Sequence, residues 1–278
     1  MLNYLNIKTA EKKKGIKKLI NLLRRDKITV QIKSSRGVCV KQVTYESLNG
    51  NVDLNRLENI FRYDKDKLLC GEDIIFPKSS GFARFDSLDF RIRLCTNMAL
   101  AVLKNCKYPD KLNVGIFDES GESADILFHV LNICNNVRVV TQNEESYYFE
   151  LDRALNELGA TAMVTKNADD LSDCDFVIIC GNIERQLPLR QDALVLASAC
   201  PKQKQNGILY YKYYPKVPNV FESVKPKGLD GEYFCSALYT LEHQYQLGSI
   251  VPLLCSGNSS AQTAKSLAEY LNLHCESK

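Results

Sequence analysis

The sequence lacks the marks of several protein classes, and each absence narrows the field. No apolar stretch approaches the ~18–20 residues needed to cross a bilayer, so no membrane span is expected. The opening MLNYLNIKTAEKKKG holds neither the apolar core nor the small-residue cleavage site of a secretory signal. Eleven cysteines are scattered singly, with no CxxC pair among them, which argues against a zinc ribbon or a disulfide framework. Cys134, Cys180 and Cys200 lie in apolar runs, where a reduced thiol acts as a small hydrophobe. The three histidines, His129, His243 and His274, have no metal-ligand spacing, so no metal is expected. There is no internal repeat and no low-complexity tract. A cytoplasmic location is the resulting expectation.

What is present is an ordinary globular composition, 45% hydrophobic and 25% charged over 278 residues, with an uneven charge distribution. Residues 1–36 carry eleven Lys/Arg against Glu11 and Asp26, a balance of +9. Residues 118–175 carry thirteen Asp/Glu against Arg138, Arg153 and Lys166, a balance of −10. A solvated basic helix face explains the first stretch, and contact with the acidic middle of another copy, in a homo-oligomer, is the alternative. Nucleic acid is not expected as a partner. The tyrosines beside lysines in GILYYKYY, residues 207–214, suit a strand better than a base-stacking surface.

Hydrophobic periodicity predicts a small α+β unit over residues 1–86. It opens with a helix at Thr9–Arg25 that turns Ile16, Leu19, Ile20 and Leu23 to one face. A hairpin follows, from KITVQIKS and VCVKQVTYESL, and then a short helix capped by Asp53 or Asn51. A connecting helix starting at a Ser87 cap is expected over 87–110. Residues 111–222 then alternate apolar runs, at 112–117, 137–141, 161–165, 175–180 and 193–199, with helical stretches at 121–134 and 146–158, the second ending at Gly159. That alternation predicts an α/β domain, a doubly wound parallel sheet with helices on both faces, and residues 207–214 add a sixth strand. Two helices over 223–278 are expected to pack back on the domain junction.

The stretch VGIFDESGESADILFHVLNICNNVRVVTQN, Val114–Asn143, together with LGATAMVTKNADDLSDCDFVIICGN, resembles the NAD(P)-binding Rossmann domains of dehydrogenases over roughly residues 111–200. The resemblance implies a ligand crevice at the strand ends, with Asp118, Ser120, Gly121, Ser123, Thr141, Gly181 and Asn182 as its candidate residues. The GxGxxG fingerprint is degenerate, because Asp118, Ser120 and Ser123 stand at the three glycine positions. A carboxylate about 4 Å from a phosphate charge costs on the order of 4 kcal/mol at an effective dielectric of 20. The ribose-binding acid is missing too, since the next strand ends Thr141-Gln142-Asn143 and Glu144 and Glu145 fall in the next helix. Ser120, Gly121 and Ser123 remain able to cap the helix or to meet a small anion.

Other resemblances are partial. IFDESGE resembles the first motif of the haloacid dehalogenase phosphatases, with Asp118 as nucleophile and Thr141 in the second motif, but Ser120 replaces the general acid and VIICGN lacks the acidic pair for magnesium. The receiver domains of two-component signalling are similar in placing an acidic pair at Asp118-Glu119, with Lys202 after the fifth strand, but their phosphorylated aspartate is Thr165 here. The layout as a whole resembles shikimate dehydrogenase, with Ser236 near where that family has glutamine. The reading that follows is a binding or regulatory relative of dehydrogenases that has lost standard dinucleotide binding. No cofactor is expected, and a small anionic or nucleotide ligand fits the crevice. The alternative is an NAD(P)-dependent oxidoreductase with a divergent turn.

Overall fold

The computed structural model describes residues 1–10, 25–48 and 52–276. Residues 11–24, which hold most of the helix expected from Thr9, and the alternative cap Asn51 lie outside the described residues. The chain divides into two compact units, and the division is discontinuous: Met1–Ser87 with Val217–Tyr245, and Leu88–Lys216 with Gln246–Lys278.

In the first unit β1 (Leu2–Thr9), β2 (Lys27–Ser35) and β3 (Val38–Ser47) form a sheet in the order β1-β3-β2. β2 and β3 are the expected hairpin, paired from Lys27↔Glu46 to Ser35↔Val38. Its two-residue turn is Arg36-Gly37, both at positive φ (48° and 81°), the backbone that matches the twist of the flanking strands. β1 occupies residues to which the sequence assigned no element, together with Thr9 of the expected helix, and runs parallel to β3. Leu5, Val43 and Tyr45 meet Leu57 and Phe61 of helix α1 (Leu54–Phe61) in a core closed by Leu68, Cys70 and Phe82. Asp53 caps α1, accepting from the Asn55 amide at 3.1 Å. Within the buried edge of this core the Tyr45 hydroxyl donates to Asp26 Oδ2 (2.7 Å), and Asp26 Oδ1 accepts from the Leu48 amide (3.0 Å).

The second unit starts with α2 (Asp89–Asn105), whose N-cap is Leu88 and not the expected Ser87. It is part of this unit: Leu94, Cys95, Met98, Ala99, Val102 and Leu103 are buried, and the helix packs on the sheet. That sheet comprises β4 (Asn113–Asp118), β5 (Asn136–Val140), β6 (Met163–Thr165), β7 (Phe176–Cys180), β8 (Leu194–Ala197), β9 (Ile208–Tyr214) and β10 (Leu254–Gly257). Helices α3 (Asp125–Leu131) and α4 (Tyr148–Leu158) follow β4 and β5, and α4 stops at the left-handed Gly159. The strand order is β10-β9-β8-β7-β4-β5-β6, parallel except for β10. Counted from β4, the parallel strands run 3-2-1-4-5-6, the doubly wound order in which the chain reverses direction across the sheet between β4 and β7. This is an α/β fold of the Rossmann type. β7 and β8 are buried at every residue, as strands covered on both faces must be.

The two covers differ in kind. α2, packed against β7–β9 and against the last helix, α6 (Ala264–Glu276), forms part of one. On the other face Phe117, Val177, Ile179, Val195 and Leu209 meet a layer of connecting segments that carry Leu171, Cys174, Ile183, Leu187 and Leu189. Helices were expected there, but the β7–β8 and β8–β9 connections hold no helix. Gln205 braces them, its Oε1 accepting from the Leu187 amide (2.9 Å) and its Nε2 donating to Arg185 O (2.8 Å). At the amino ends of the strands the buried Asp175 accepts from the Asn113 amide (3.0 Å) and from Arg190 (2.9 Å). The two helices expected at the end of the chain divide between the units: α5 (Gly231–Leu241), capped by Asp230, belongs to the first, and α6 to the second. Eight of the eleven cysteines are buried, and burial pushes the thiols of Cys134 and Cys174 up to about 12.

Gly115, in the middle of β4, sits under the loop layer: a Cβ there would lie 2.6 Å from Leu171 Cδ2 and 3.1 Å from Cys174 Sγ. Gly115→Ala is expected to lower the unfolding free energy by about 1–3 kcal/mol. Urea titration reads this directly, and an unchanged midpoint would show the layer to be loose. The Leu48 amide and then the Tyr45 hydroxyl hold the Asp26 carboxyl below its usual range. A carboxyl depressed in the folded state contributes its full stabilisation above the unfolded value, about pH 4, and loses it as pH falls through the folded value. As pH falls below about 4 the wild-type chain should therefore lose stability more steeply than Asp26→Asn, as urea midpoints at several pH values will report.

Candidate functional site

In an open sheet of this order, ligands enter the crevice beyond the carboxyl ends of the strands, at the point where the winding reverses. Here that point lies between β4 and β7, where Asp118 pairs with Cys180 as the last residues of their strands. The seven residues singled out from the sequence lie at or just beyond the ends of β4, β5 and β7. Asp118, Gly121, Ser123 and Thr141 are buried, Gly181 is half-buried, and Ser120 and Asn182 are exposed.

The turn after β4 is organised around the Asp118 side chain, which is 1% exposed. Its Oδ1 accepts from the Gly121 amide (3.1 Å) and the Ser120 hydroxyl (3.3 Å). Its Oδ2 accepts from the Ser123 amide (2.8 Å) and the Tyr147 hydroxyl (3.0 Å). Two backbone N–H groups and two hydroxyls thus converge on one carboxylate. The sequence suggested that Ser120 and Ser123 cap the helix. Instead α3 begins at Asp125 behind Ala124, with no side-chain cap, and Asp118 takes the donors of the turn. Burial, and then the charge of Asp118, pushes the Tyr147 hydroxyl far above its ordinary value, so it keeps its proton and donates it. Burial, and then the neighbouring Cys95 and Asp118, raise the buried Cys180 thiol.

A second loop locks the first. Gly121 has φ 77°, and a Cβ there would lie 2.2 Å from Ser146 Oγ and 3.1 Å from Asn143 O, so the loop after β5 closes directly over it. The Gln142 amide donates to Glu119 O (3.1 Å), Thr141 Oγ1 accepts from the Asn143 amide (3.1 Å), and the Thr141 amide donates to Thr165 O (3.0 Å). Across the crevice Gly181 turns the chain at φ 99°, its amide donating to the buried Ser198 hydroxyl (2.8 Å). Arg185 stands over the Phe117 ring, 5.7 Å from its centre, and 4.0 Å from Glu119.

Three of these residues escaped the sequence reading. Arg185 lies in a connection without a motif, and Ser198 lies at the end of the apolar run 193–199, read only as a strand. Tyr147 is one of two adjacent tyrosines, and only the structure shows that it is buried while Tyr148 is 55% exposed. Among the described residues no group of three or more His, Cys, Asp or Glu side chains is placed to hold a metal ion, and no helix is long and apolar enough to cross a membrane. His274 contacts Tyr270, and His243 accepts or donates at Nδ1 to the Tyr245 hydroxyl (2.8 Å).

No protein-family model and no curated protein matches the chain. Among solved structures it is similar to L-tryptophan dehydrogenase from Nostoc punctiforme, with a TM-score of 0.34 and 11% identity over 84% of this chain and 76% of that one. It is also similar to Thermococcus litoralis Δ1-pyrroline-2-carboxylate reductase, solved in complex with NADH and L-proline, with a TM-score of 0.28 and 14% identity. That match covers 44% of this chain and spans 37% of the reductase.

Removing the Tyr147 hydroxyl leaves one carboxylate lone pair of Asp118 without a partner in a buried place. Tyr147→Phe is expected to cost about 1.5–3 kcal/mol, the range for a hydrogen bond to a charged group. A change within 0.5 kcal/mol in denaturant unfolding would mean that Asp118 does not depend on Tyr147.

Proposed function

We propose that this chain is a binding or regulatory relative of the dehydrogenases that no longer takes a dinucleotide in the standard way. The observation that carries this reading is the Asp118 carboxylate on the amides of Gly121 and Ser123. In a nucleotide-binding Rossmann turn such backbone donors face the pyrophosphate, and glycines leave room for it. Here a dinucleotide would meet a carboxylate and donors already engaged. A small anionic or nucleotide ligand is left the more open side of the crevice, by Gly181 and Asn182. The scattered cysteines suit a reducing compartment, which is why we place the protein in the cytoplasm.

A second reading, an NAD(P)-dependent oxidoreductase with a divergent turn, is favoured by the strand order and by the position of the crevice at the reversal point. A layout of the shikimate dehydrogenase type belongs with it. In that case Asp118 releases its donors when the cofactor enters, and the cofactor binds against the cost of breaking those bonds.

Titration with NADH and NADPH, followed by nicotinamide fluorescence, separates the two. The first reading expects no binding at micromolar concentrations, and micromolar affinity would establish the second in its place. The variant carrying Asp118→Gly, Ser120→Gly and Ser123→Gly tests the cause. It is expected to melt lower than wild type without ligand, because buried hydrogen bonds are lost and glycine frees the unfolded chain. It should also gain an upward shift with millimolar NADH that wild type lacks, since a ligand stabilises the state it binds. A folded variant with no such shift would show that the turn is not what excludes the dinucleotide.

A further inference from the structure

Helix α4 is amphipathic in an unusual sense: its outward side is both apolar and acidic. Tyr147 and Ala154 are buried beneath it, while Tyr148 (55% exposed), Phe149 (72%) and Leu155 (58%) face outward. Met163, on the edge strand β6, is 50% exposed as well, and the turn leading into α4 packs against that strand. Residues 144–157 hold five acids against one arginine, a balance of −4. That arginine is itself engaged: Arg153 lies 3.1 Å from Glu157, 3.6 Å from Glu150 and 3.8 Å from the centre of the Phe128 ring. Glu145 and Asp152 are exposed on the same outward side as Phe149.

A surface of this kind fits a segment that is apolar on one side and basic on the other. The chain contains one. Lys12–Arg25 carries seven Lys/Arg and no acid, with Ile16, Leu19, Ile20 and Leu23 at helical spacing. We propose that the outward face of α4 with the edge of β6 is a docking surface for the Lys12–Arg25 segment of a second copy of this chain. Each copy carries both halves of the contact, so two copies complete it reciprocally in a two-fold dimer or serially, head to tail. The apolar residues supply the buried area. The charges fix the partner and its orientation, since like-charge juxtaposition disfavours other arrangements. The net charge of +3 leaves whole chains with little mutual repulsion to overcome.

Sedimentation velocity on the full chain tests this, with variants changed only at exposed or sequence-defined charges. Wild type is expected to associate with rising protein concentration and to dissociate as salt approaches about 0.5 M, where screening acts within a few ångströms. Glu145→Lys with Asp152→Lys in one chain, or Lys17→Glu with Lys18→Glu in another, should each abolish association. Mixing the two reversed chains should restore it as a one-to-one complex, and Phe149→Ser should weaken it at low salt, where wild type associates. Far-UV circular dichroism checks that each variant keeps its fold. A monomer at every concentration overturns the proposal, and so does association that survives either reversal. Reversed chains that fail to recover on mixing also overturn it, because the two surfaces then do not meet each other. A crosslink between segment and α4 that forms without concentration dependence assigns the contact to one chain and rejects the second copy.

Discussion

The constraint on which the candidate site depends is that a buried carboxylate must be satisfied. Asp118 lies at the end of a strand buried on both faces, where water does not reach it. Burying an unpaired carboxylate costs several kcal/mol, so the surrounding chain has to deliver donors. It does so with the Gly121 and Ser123 amides and the Ser120 and Tyr147 hydroxyls. The positive φ of Gly121, the late start of α3 at Asp125 and the burial of Tyr147 all serve that arrangement. The loop after β5 then closes over Gly121, so the geometry of one side chain fixes two loops.

This makes the usual relation between Rossmann turn and ligand internal. In a dinucleotide site the anion comes from outside, and the turn is complete only when it is bound. Here an anionic group is covalently part of the strand and already engages the Gly121 and Ser123 amides. Strands β7 and β8 are sealed by loops braced through Gln205, and Asp175 with Arg190 ties the opposite ends of the strands.

Much of the second unit was legible in the sequence, because strands buried on both faces read as apolar runs. Phe176–Cys180 and Leu194–Ala197 could hardly be anything else. β1 was not legible: Asn3 and Asn6 interrupt its apolar residues, and what makes it a strand is its pairing with β3, far along the chain. β10 is four residues long and exists because β9 offers an edge. The loop layer escaped because periodicity reports faces of elements, and Ile183, Leu187 and Leu189 belong to none. At the site, position was legible and consequence only in part. Charge alone predicted that Asp118 repels a phosphate. That it also engages the Gly121 and Ser123 amides depends on side-chain direction, and the role of Tyr147 depends on where a 3₁₀ turn passes into α4.

The discontinuity of the first unit bears on how the chain comes into being. Its hairpin and α1 leave the ribosome early, but α5, whose Tyr233 hydroxyl donates to Phe85 O (2.9 Å), is synthesised only after β4–β9. Domains generally fold as units, amino-terminal first. Here the amino-terminal unit has to wait, partly assembled, until the strands of the other have been made. Until then the side of β1 against which α5 packs stays uncovered.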